Sequence, residues 1–256
     1  TTQYVCTGWV GTGSVPPDGE TASVSFTITN NSGIVWNWST NYWLAVETAG
    51  SGGVDVASGW FAAGSNVNVT ATPATGWHFV GWNGDTNGCD VEGVTLTAPM
   101  DRARTVEARF EIDRHTLEVV SAHGGNIPGT LEAAYGTELS LSSPNSPIID
   151  GTTQHICIGA VVSGNAFTQP TPTSVLLTLT NNATLTWLWE TRYLLAAYAN
   201  EGGSVSGTGW YAADVVVTLT AIPAQHFQFV QWSDGVLSAS RFVTVPAGGI
   251  SFVALF

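Results

Sequence analysis

The sequence predicts an all-β protein made of small tandem modules arranged as an elongated repeat array. Three observations carry this prediction. Residues typical of strands and turns, chiefly Thr, Val, Gly, Trp and Asn, are abundant, whereas strong helix formers are scarce. Apolar residues alternate with polar ones over short segments, and no segment keeps the 3.6-residue period of a helix. Long stretches of sequence also recur at a fixed spacing.

A repeat of about 150 residues organises the chain. "TTQYVCTG" at Thr1 returns as "TTQHICIG" at Thr152, and "ITNNSGIVWNWSTNYWL" returns as "LTNNATLTWLWETRYLL". Trp36 and Trp187 are equivalent positions, 151 residues apart. The stretch "SGWFAAGSNVNVTATP" returns as "TGWYAADVVVTLTAIP". Because whole stretches return in the same order, we expect each copy to fold in the same way.

Four alternating segments that end on an aromatic residue divide this repeat into shorter modules. They are "IVWNW" (34–38), "VEARF" (106–110), "LTWLW" (185–189) and "FVALF" (252–256). Every second residue is apolar, so each segment is predicted to be the closing strand of a module, with one face in the core. Two closing strands carry tryptophan on that face and define type A. The other two carry alanine and phenylalanine and define type B.

The module boundaries follow from these strands and from recurring Gly-Gly turns. We interpret the chain as the closing half of an A-type module (1–42), a B-type module (43–113), an A-type module (114–192) and a second B-type module (193–256). A B-type module is expected to contain five or so strands. Pro73 and Pro223 should end the third of them, where a missing N–H donor is tolerable.

The B-type stretches carry a family resemblance. "SGWFAAGSNVNVTATPATGWHFVGWNGD" and "VTLTAPMDRARTVEARF" resemble the divergent InlB B-repeat family of bacterial surface proteins. The second copy departs from the pattern at Asp214, Gln231 and His226. The resemblance implies a β-grasp-like module, found in tandem in secreted and cell-surface proteins. It also implies a spacer, stalk or interaction surface, because the family has no shared catalytic residues.

The charge balance excludes several partners. The chain has nineteen acidic residues, six arginines and no lysine, for a net charge of −13. A nucleic-acid-binding protein needs a basic stripe to neutralise phosphates, and an anionic membrane would repel this chain. No apolar run approaches the roughly 20 residues that a membrane helix needs. We therefore expect neither nucleic acid nor membrane insertion, and an extracellular or cell-surface location.

Catalytic and metal motifs are largely missing. Nucleophile, zinc and phosphate-loop patterns do not occur, and the five histidines do not recur between copies, so we predict no enzyme and no cofactor. The best metal candidate is "NGDTNGCDVE" (83–92), where Asn83, Asp85, Asn87 and Gly88 have the spacing of a calcium loop and Asp90 follows them. Val94 stands where such a loop carries its glutamate. A Gly/Asn-rich turn is the alternative interpretation.

Three cysteines cannot all pair with one another. Cys6 and Cys157 occupy the same repeat position and replace an inward apolar residue, so we expect buried thiols. A Cys6–Cys89 disulfide is the alternative, and no feature of the sequence fixes the distance that it requires.

The tryptophans offer the main alternative to a purely structural role. Alternation places Trp36 and Trp38 in the core, and the recurring Trp9, Trp82 and Trp232 are expected to be packing residues. Four others are less constrained and could form an exposed platform for a glycan: Trp43, Trp60, Trp77 and Trp210.

Three functions therefore compete. The first is a non-catalytic stalk, filament or adhesin segment. The second is a carbohydrate- or protein-binding module that uses exposed tryptophans. The third is an accessory region of a large secreted enzyme. Residues 1–42 lack opening strands of their own, so their partner is either a neighbouring repeat of a longer protein or an identical subunit that adds strands to form a homopolymer.

Overall fold

The computed structural model describes residues 1–124, 128–143 and 145–256, and every regular element within them is a β-strand. The predicted all-β class is confirmed. The chain divides into two compact units, 1–113 and 114–256. The finer expectations of a β-grasp-like module and of an elongated array stay predictions.

The strands of the first unit form two sheets. They are β1 (Thr2–Thr12), β2 (Asp18–Gly19), β3 (Gly33–Ala49), β4 (Gly52–Val54), β5 (Gly59–Ala62), β6 (Asn66–Pro73), β7 (Trp77–Gly84), β8 (Asp90–Glu92), β9 (Thr95–Pro99) and β10 (Arg104–Ile112). One sheet has the order β2-β1-β3-β10-β7, with β5 also paired to β3. The other sheet has the order β4-β6-β9-β8. The two sheets pack face to face, since one core cluster draws buried residues from both: Leu44, Val67, Val69, Leu96, Ala98, Met100 and Val106.

The second unit repeats this plan around one large sheet. Its strands are β11 (Arg114–Ser121), β12 (Thr130–Ala134), β13 (Thr137–Ser142), β14 (Ile148–Asp150), β15 (Thr153–Ser163), β16 (Phe167–Thr171), β17 (Ser174–Leu179), β18 (Ala183–Ala199), β19 (Gly203–Ser206), β20 (Gly209–Tyr211), β21 (Val216–Pro223), β22 (Gln231–Trp232), β23 (Ser240–Thr244) and β24 (Ile250–Leu255). The large sheet runs β12-β11-β18-β15-β14, with β20 and β24 on β18 and β22 on β24. Two small sheets, β13-β17-β16 and β19-β21-β23, cover the A-type and the B-type part respectively.

The seam between A-type and B-type residues lies inside a single strand. β3 and β18 each run for 17 residues without a break. The first half of β3 pairs with β1, and its second half pairs with β5 and β10. Residues 39–41 ("STN"), just before the predicted module boundary at 42/43, are strand, because inward residues keep the same parity from Trp36 through Leu44 and no proline or glycine interrupts them. One strand thus belongs to two modules at once.

The first and last strands of each complete module are adjacent and parallel. Val106 of β10 lies opposite Val46 of β3. The same relation joins β11 to β18 in the A-type module and β18 to β24 in the second B-type module. Each module therefore begins at one end of its central strand pair and finishes at the other.

Most predicted strands are present, and both predicted third strands end at proline, β6 at Pro73 and β21 at Pro223. One difference lies in the second B-type copy. "WHFVGW" (77–82) lies wholly within the eight-residue β7, whereas in "FQFVQW" only Gln231 and Trp232 form a ladder. The amide of Val230 still donates to the carbonyl of Leu255 at 2.8 Å, so this segment follows β24 with fewer ladder bonds.

Candidate functional site

Two of the four candidate ligand tryptophans form a pair on the outside of the first B-type module. Trp43 of β3 lies opposite Trp60 of β5, and their ring centroids are 5.3 Å apart. Their neighbours Leu44 and Phe61 pack in the core, so both indoles lie on the outer face. The rings meet edge to face at 73°, and Trp60 is 39% exposed. A sugar would therefore meet one ring face and one ring edge, and not a flat double platform.

Trp210 occupies the equivalent position in the second B-type module. It lies on β20 opposite Leu194 of β18, where the first module has Trp43. Trp210 and Leu194 help to line an open cavity of about 260 Å³. An outward tryptophan on the short strand that pairs with the central strand, β5 or β20, is thus common to both B-type modules, whereas its aromatic partner is found in the first alone.

Trp77 lies apart from this outer pair. It packs against a second core cluster that contains Ala71, Ala108 and Phe110. Its ring also approaches Gly50 closely enough that a β-carbon there would lie 3.0 Å from it. We therefore place Trp77 with the packing residues.

A larger open cavity lies on the outer face of the β13-β17-β16 sheet. It measures about 510 Å³ and is lined chiefly by small and apolar side chains, with Glu138, Phe167 and Leu176 the most distinctive. Polar side chains do not converge in it beyond Glu138 and a few hydroxyls. It lacks the set of fixed polar groups that orients a small-molecule ligand.

The prediction that Trp38 is a core residue is wrong for this chain. Trp38 is 61% exposed, and Trp36 is only partly buried. Their equivalents behave differently, because Trp187 is 3% exposed and Trp189 is partly buried. The indole N–H of Trp189 donates to Ser121 Oγ at 2.8 Å, and Ser121 belongs to the opening strand that residues 1–42 lack. Trp36 and Trp38 do lie on the predicted side of the sheet, but no second sheet covers that side in residues 1–42.

This uncovered face extends well beyond Trp38. Phe26 is 37% exposed and its equivalent Leu177 is 5% exposed. The exposed inward residues of the half module define what we call the open face: Tyr4, Phe26, Ile28 and Trp38. Residues 23–28, which are equivalent to β17, also form no strand. In the complete module β17 pairs with β13 on one side and β16 on the other, and the half module has no counterpart of β13.

The loop that was the calcium candidate, residues 83–92, contacts the positively charged side chain of Arg104. The Arg104 side chain is 0% exposed, and its guanidinium donates to the carbonyl of Asp85 at 3.1 Å and to that of Asn87 at 2.8 Å. It also donates to Pro99 and forms an ion pair with Asp101 at 2.8 Å. The carbonyls of Asp85 and Asn87 thus already accept hydrogen bonds from Arg104, and the positive charge of the guanidinium would repel a calcium ion beside them. Position 104 has the inward parity of Val106, so alternation in the sequence already indicates that the Arg104 side chain points into the module.

The three thiols are free in the structure. Cys157 is buried as expected, and Cys6 is partly buried on β1. The Cys6–Cys89 disulfide is not formed. Cys89 Sγ lies 3.6 Å from the carbonyl of Asp85. Burial raises the pKa of the Cys89 thiol, although the charge of Arg104 opposes this, so the thiol is not activated as a nucleophile.

The histidines do not assemble a catalytic group. His123 stacks on His155, with ring centroids 3.7 Å apart, and meets the edge of Trp189. Burial, with a smaller effect from His155, lowers the pKa of His123. His78 Nδ1 lies 2.7 Å from the Asp113 carboxylate at an exposed position. Among the described residues, no cluster of three or more metal-ligating side chains occurs.

The fold and these surfaces define an all-β repeat protein. The family model described as "Divergent InlB B-repeat domain" matches residues 42–114 and 193–256, which together cover more than half of the chain. The chain therefore belongs to the divergent InlB B-repeat family, which is typical of bacterial cell-surface proteins. Searches of curated proteins and of solved structures found no significant match. The part of the chain that the structure describes contains no helix long and apolar enough to cross a membrane.

Proposed function

We propose that this chain is a non-catalytic, load-bearing segment of an extracellular bacterial surface protein, such as the stalk of a filament or adhesin. The observation that carries the proposal is the parallel pairing of first and last strands in every complete module. Family membership supports the surface setting. The net charge of −13 suits a secreted protein that must stay soluble.

The parallel pairing of the first and last strands determines how a module responds to a pulling force. The first strand is entered at one end of the ladder, and the last strand is left at the opposite end. Tension along the chain therefore slides the two strands past each other and loads all ladder hydrogen bonds together. A module whose end strands met antiparallel, at one edge, would instead lose these bonds one at a time. Each bond contributes about 0.5–1.5 kcal/mol, so sharing the load raises the barrier to rupture.

The continuous strands transmit tension between modules without a flexible joint. β18 closes the A-type module and opens the second B-type module within one 17-residue element. β3 plays the same part in the first unit. An extended strand has no slack to lengthen, unlike a Gly/Ser-rich linker. Two modules that share one continuous strand are therefore held at a fixed distance from each other along that strand.

Surface labelling in the source organism tests this role. An antibody against the chain should label intact cells, and protease added outside should remove the label. A matched permeabilised sample controls for antibody access. Labelling that appears only after permeabilisation would contradict the proposal, and so would hydrolytic activity of the pure chain on surface polymers.

A second candidate function is glycan or protein binding by the outer tryptophans, or an accessory role beside a secreted enzyme domain. The exposed Trp60 with Trp43 beside it favours the binding alternative. Glycan-array binding that is lost in both Trp43→Ala and Trp60→Ala, but kept in Trp77→Phe, would support it. An array with no signal would leave the load-bearing role as the better account.

A further inference from the structure

The edge of the central strand is completed by a hydroxyl group in the first B-type module. Ser58 Oγ accepts a hydrogen bond from the amide of Val46 at 2.8 Å and donates to the carbonyl of Val46 at 3.3 Å. β5 stops pairing with β3 at Leu44, so Val46 lies just beyond the end of that ladder. One hydroxyl thus satisfies both backbone groups of Val46.

Ala197 of β18 is the counterpart of Val46 in the second B-type module. It has the same register against β24 that Val46 has against β10. Successive residues of a strand direct their backbone groups to opposite edges. The amide of Asn200 donates to the carbonyl of Ala254 in β24, so Ala197, three residues earlier, directs its N–H and C=O away from β24. Both groups face the edge that Ser58 covers in the first module.

This edge lacks a protein partner in the second module. β20 pairs with β18 only at Tyr193–Leu195, so its ladder stops short of Ala197. Thr208 has the position of Ser58, yet among the described residues neither Thr208 nor any other hydrogen-bonds to Ala197 across this edge. Ala197 lines the open cavity of about 260 Å³. A half-buried backbone pair without a protein partner needs one from outside the chain.

Two aromatic side chains flank the uncovered edge. Trp210 of β20 and Tyr198 of β18 line the same cavity, and so does the small side chain of Ala196. Ala196 and Tyr198 point outward, since Leu195 is fully buried in the core. We call this place the β18 slot and define it by Ala196, Ala197, Tyr198, Thr208 and Trp210. It combines aromatic walls with a free backbone donor and a free backbone acceptor.

The first module carries charges where the second carries apolar side chains. Glu47 and Glu107 lie opposite each other on β3 and β10. Tyr198 and Val253 have the same positions on β18 and β24. They are 62% and 37% exposed, so core packing does not explain why they are apolar. The features of the slot therefore fit a neutral ligand that has both an apolar surface and hydroxyl groups.

We propose that the β18 slot binds a neutral hexose unit of a glycan. The C–H face of a pyranose ring is apolar and would pack against Trp210 and Tyr198. One sugar hydroxyl would accept from the N–H of Ala197 and donate to its C=O, as Ser58 Oγ does with Val46. An acidic sugar is disfavoured, because the slot has no basic side chain and the net charge is −13.

The length of the free edge favours a sugar ring over an added peptide strand. The edge extends only from Ala196 to Ala199, between the last β20 pair and the end of β18. Strand addition gains its affinity from a run of main-chain hydrogen bonds, for which this edge is short. The site is also separate from the Trp43–Trp60 pair, which lies in the module where Ser58 already covers the edge.

Titration of the full chain with simple methyl glycosides tests the site directly. The probes are methyl β-glucopyranoside, methyl β-galactopyranoside and methyl N-acetyl-β-glucosaminide, followed by NMR. At least one should give saturable shifts of the Ala197 amide and the Trp210 indole N–H, with a Kd of about 1–10 mM. Methyl β-glucuronide should bind more weakly than methyl β-glucopyranoside. No saturable shift with any neutral probe would overturn the proposal.

Variants of the slot have matched controls in the first module. Trp210→Ala removes a wall and Ala196→Leu fills the space between the walls, so each should weaken binding by roughly tenfold. Both positions lie on the outer face, and unchanged core amide shifts would show that the variants fold. Trp60→Ala and Ala45→Leu are the equivalent changes and should leave binding unchanged. Binding lost in Trp60→Ala but kept in Trp210→Ala would overturn the proposal.

Hydrogen exchange tests the hydroxyl bridge separately from the aromatic packing. The Ala197 amide should exchange faster than the Val46 amide in the free chain, and saturating sugar should slow it. Equal exchange at the two amides of the free chain would overturn the proposal, because a protein group would then already cover Ala197. So would concentration-dependent protection of residues 196–199 without sugar, in favour of a second copy of the chain at this edge.

This inference goes beyond the load-bearing role, and the two can fail separately. Absence of surface labelling would contradict the cellular role and leave sugar binding by the pure chain unchanged. Absence of sugar binding would remove the site and leave the parallel strand pairs that carry the load unchanged.

Discussion

Ile28 is 73% exposed, whereas Leu179, which occupies the same repeat position 151 residues later, is fully buried. The sequences around the two residues are closely similar, "SVSFTITNN" and "SVLLTLTNN". Their environments differ because the second copy contains the opening strands that pair with this region. Equivalent residues therefore contribute differently to stability, and what decides the contribution is the presence of a partner strand.

This contrast predicts that truncating the two side chains to alanine lowers stability by different amounts. Leu179→Ala should lower the free energy of opening of the second unit by about 2–4 kcal/mol, because it leaves a cavity in a closed core. Ile28→Ala should change the stability of the first unit by less than about 0.5 kcal/mol. Hydrogen exchange of the β15 and β1 amides measures the two effects separately. Equal costs would show that the open face is already covered in the free chain.

Arg104 should be essential to the stability of the first B-type module, and calcium should have no effect on that stability. Arg104→Met removes the donors to the carbonyls of Asp85, Asn87 and Pro99, so unfolding should become easier by roughly 2–4 kcal/mol. Arg109→Met is the control, since Arg109 lies exposed on the same strand. Calorimetric titration of the wild type with calcium should give no heat. Calcium-dependent melting would mean that the ion can displace the guanidinium.

Two positions in the second B-type module should tolerate glycine better than the residue they carry. Asp214 and His226 have positive φ angles of 64° and 73°, matching Gly64 and Gly76 of the first module at 81° and 75°. A side chain in this region costs about 1 kcal/mol relative to glycine, offset in part by the entropy that glycine loses on folding. His226→Gly should therefore raise the melting temperature of the second unit. The reverse change, Gly64→Ala, should lower that of the first, and a rise there would contradict the account.

The His123–His155 stack should make the second unit less stable in acid. Because burial holds the pKa of folded His123 below the ordinary value of about 6.5, the unfolded chain binds the proton more readily. The stabilisation is complete above the unfolded pKa and is lost as pH falls from there through the folded pKa. Calorimetric melting of the wild type and of His123→Phe should diverge between pH 8 and pH 5. Parallel pH profiles would assign the acid sensitivity to other groups.

Sequence patterns were sufficient for the repeat and the strands. Alternation gave the inward parity of Val106, Ala108 and Phe110, all of which are buried, and the recurring tryptophan at position 232 is fully buried. These features are local or periodic, so each copy supports the interpretation of the other. The resemblance to the InlB B-repeat family is likewise confirmed.

Exposure could not be predicted in the same way, because it depends on which segments meet in space. Trp38 has the inward parity of a core residue, yet only a strand like β11 and a sheet like β13-β17-β16 would bury it. The continuity of β3 across the predicted boundary at 42/43 was not predicted either, because alternation marks the strands on each side of a boundary and does not show that the chain runs straight through it. The role of Arg104 could not be predicted fully either, because alternation gives its inward parity and does not show which loop carbonyls its guanidinium reaches.

Single-molecule pulling on the first B-type module tests the load-bearing claim most directly. Ala45 and Thr105 lie side by side at one end of the β3–β10 ladder, whereas Arg109 lies at the other end. Cysteine handles at 45 and 109, with the native cysteines replaced by alanine, would load the ladder in shear. Handles at 45 and 105 would open the same ladder one bond at a time.

The account predicts a clearly higher rupture force for the 45/109 handles than for the 45/105 handles. Pulling the whole chain from its ends should show high-force events as well. Each should release roughly 200–250 Å, the extended length of a module of about 70 residues. Equal forces in the two geometries, or smooth extension of the whole chain without such events, would contradict a load-bearing role.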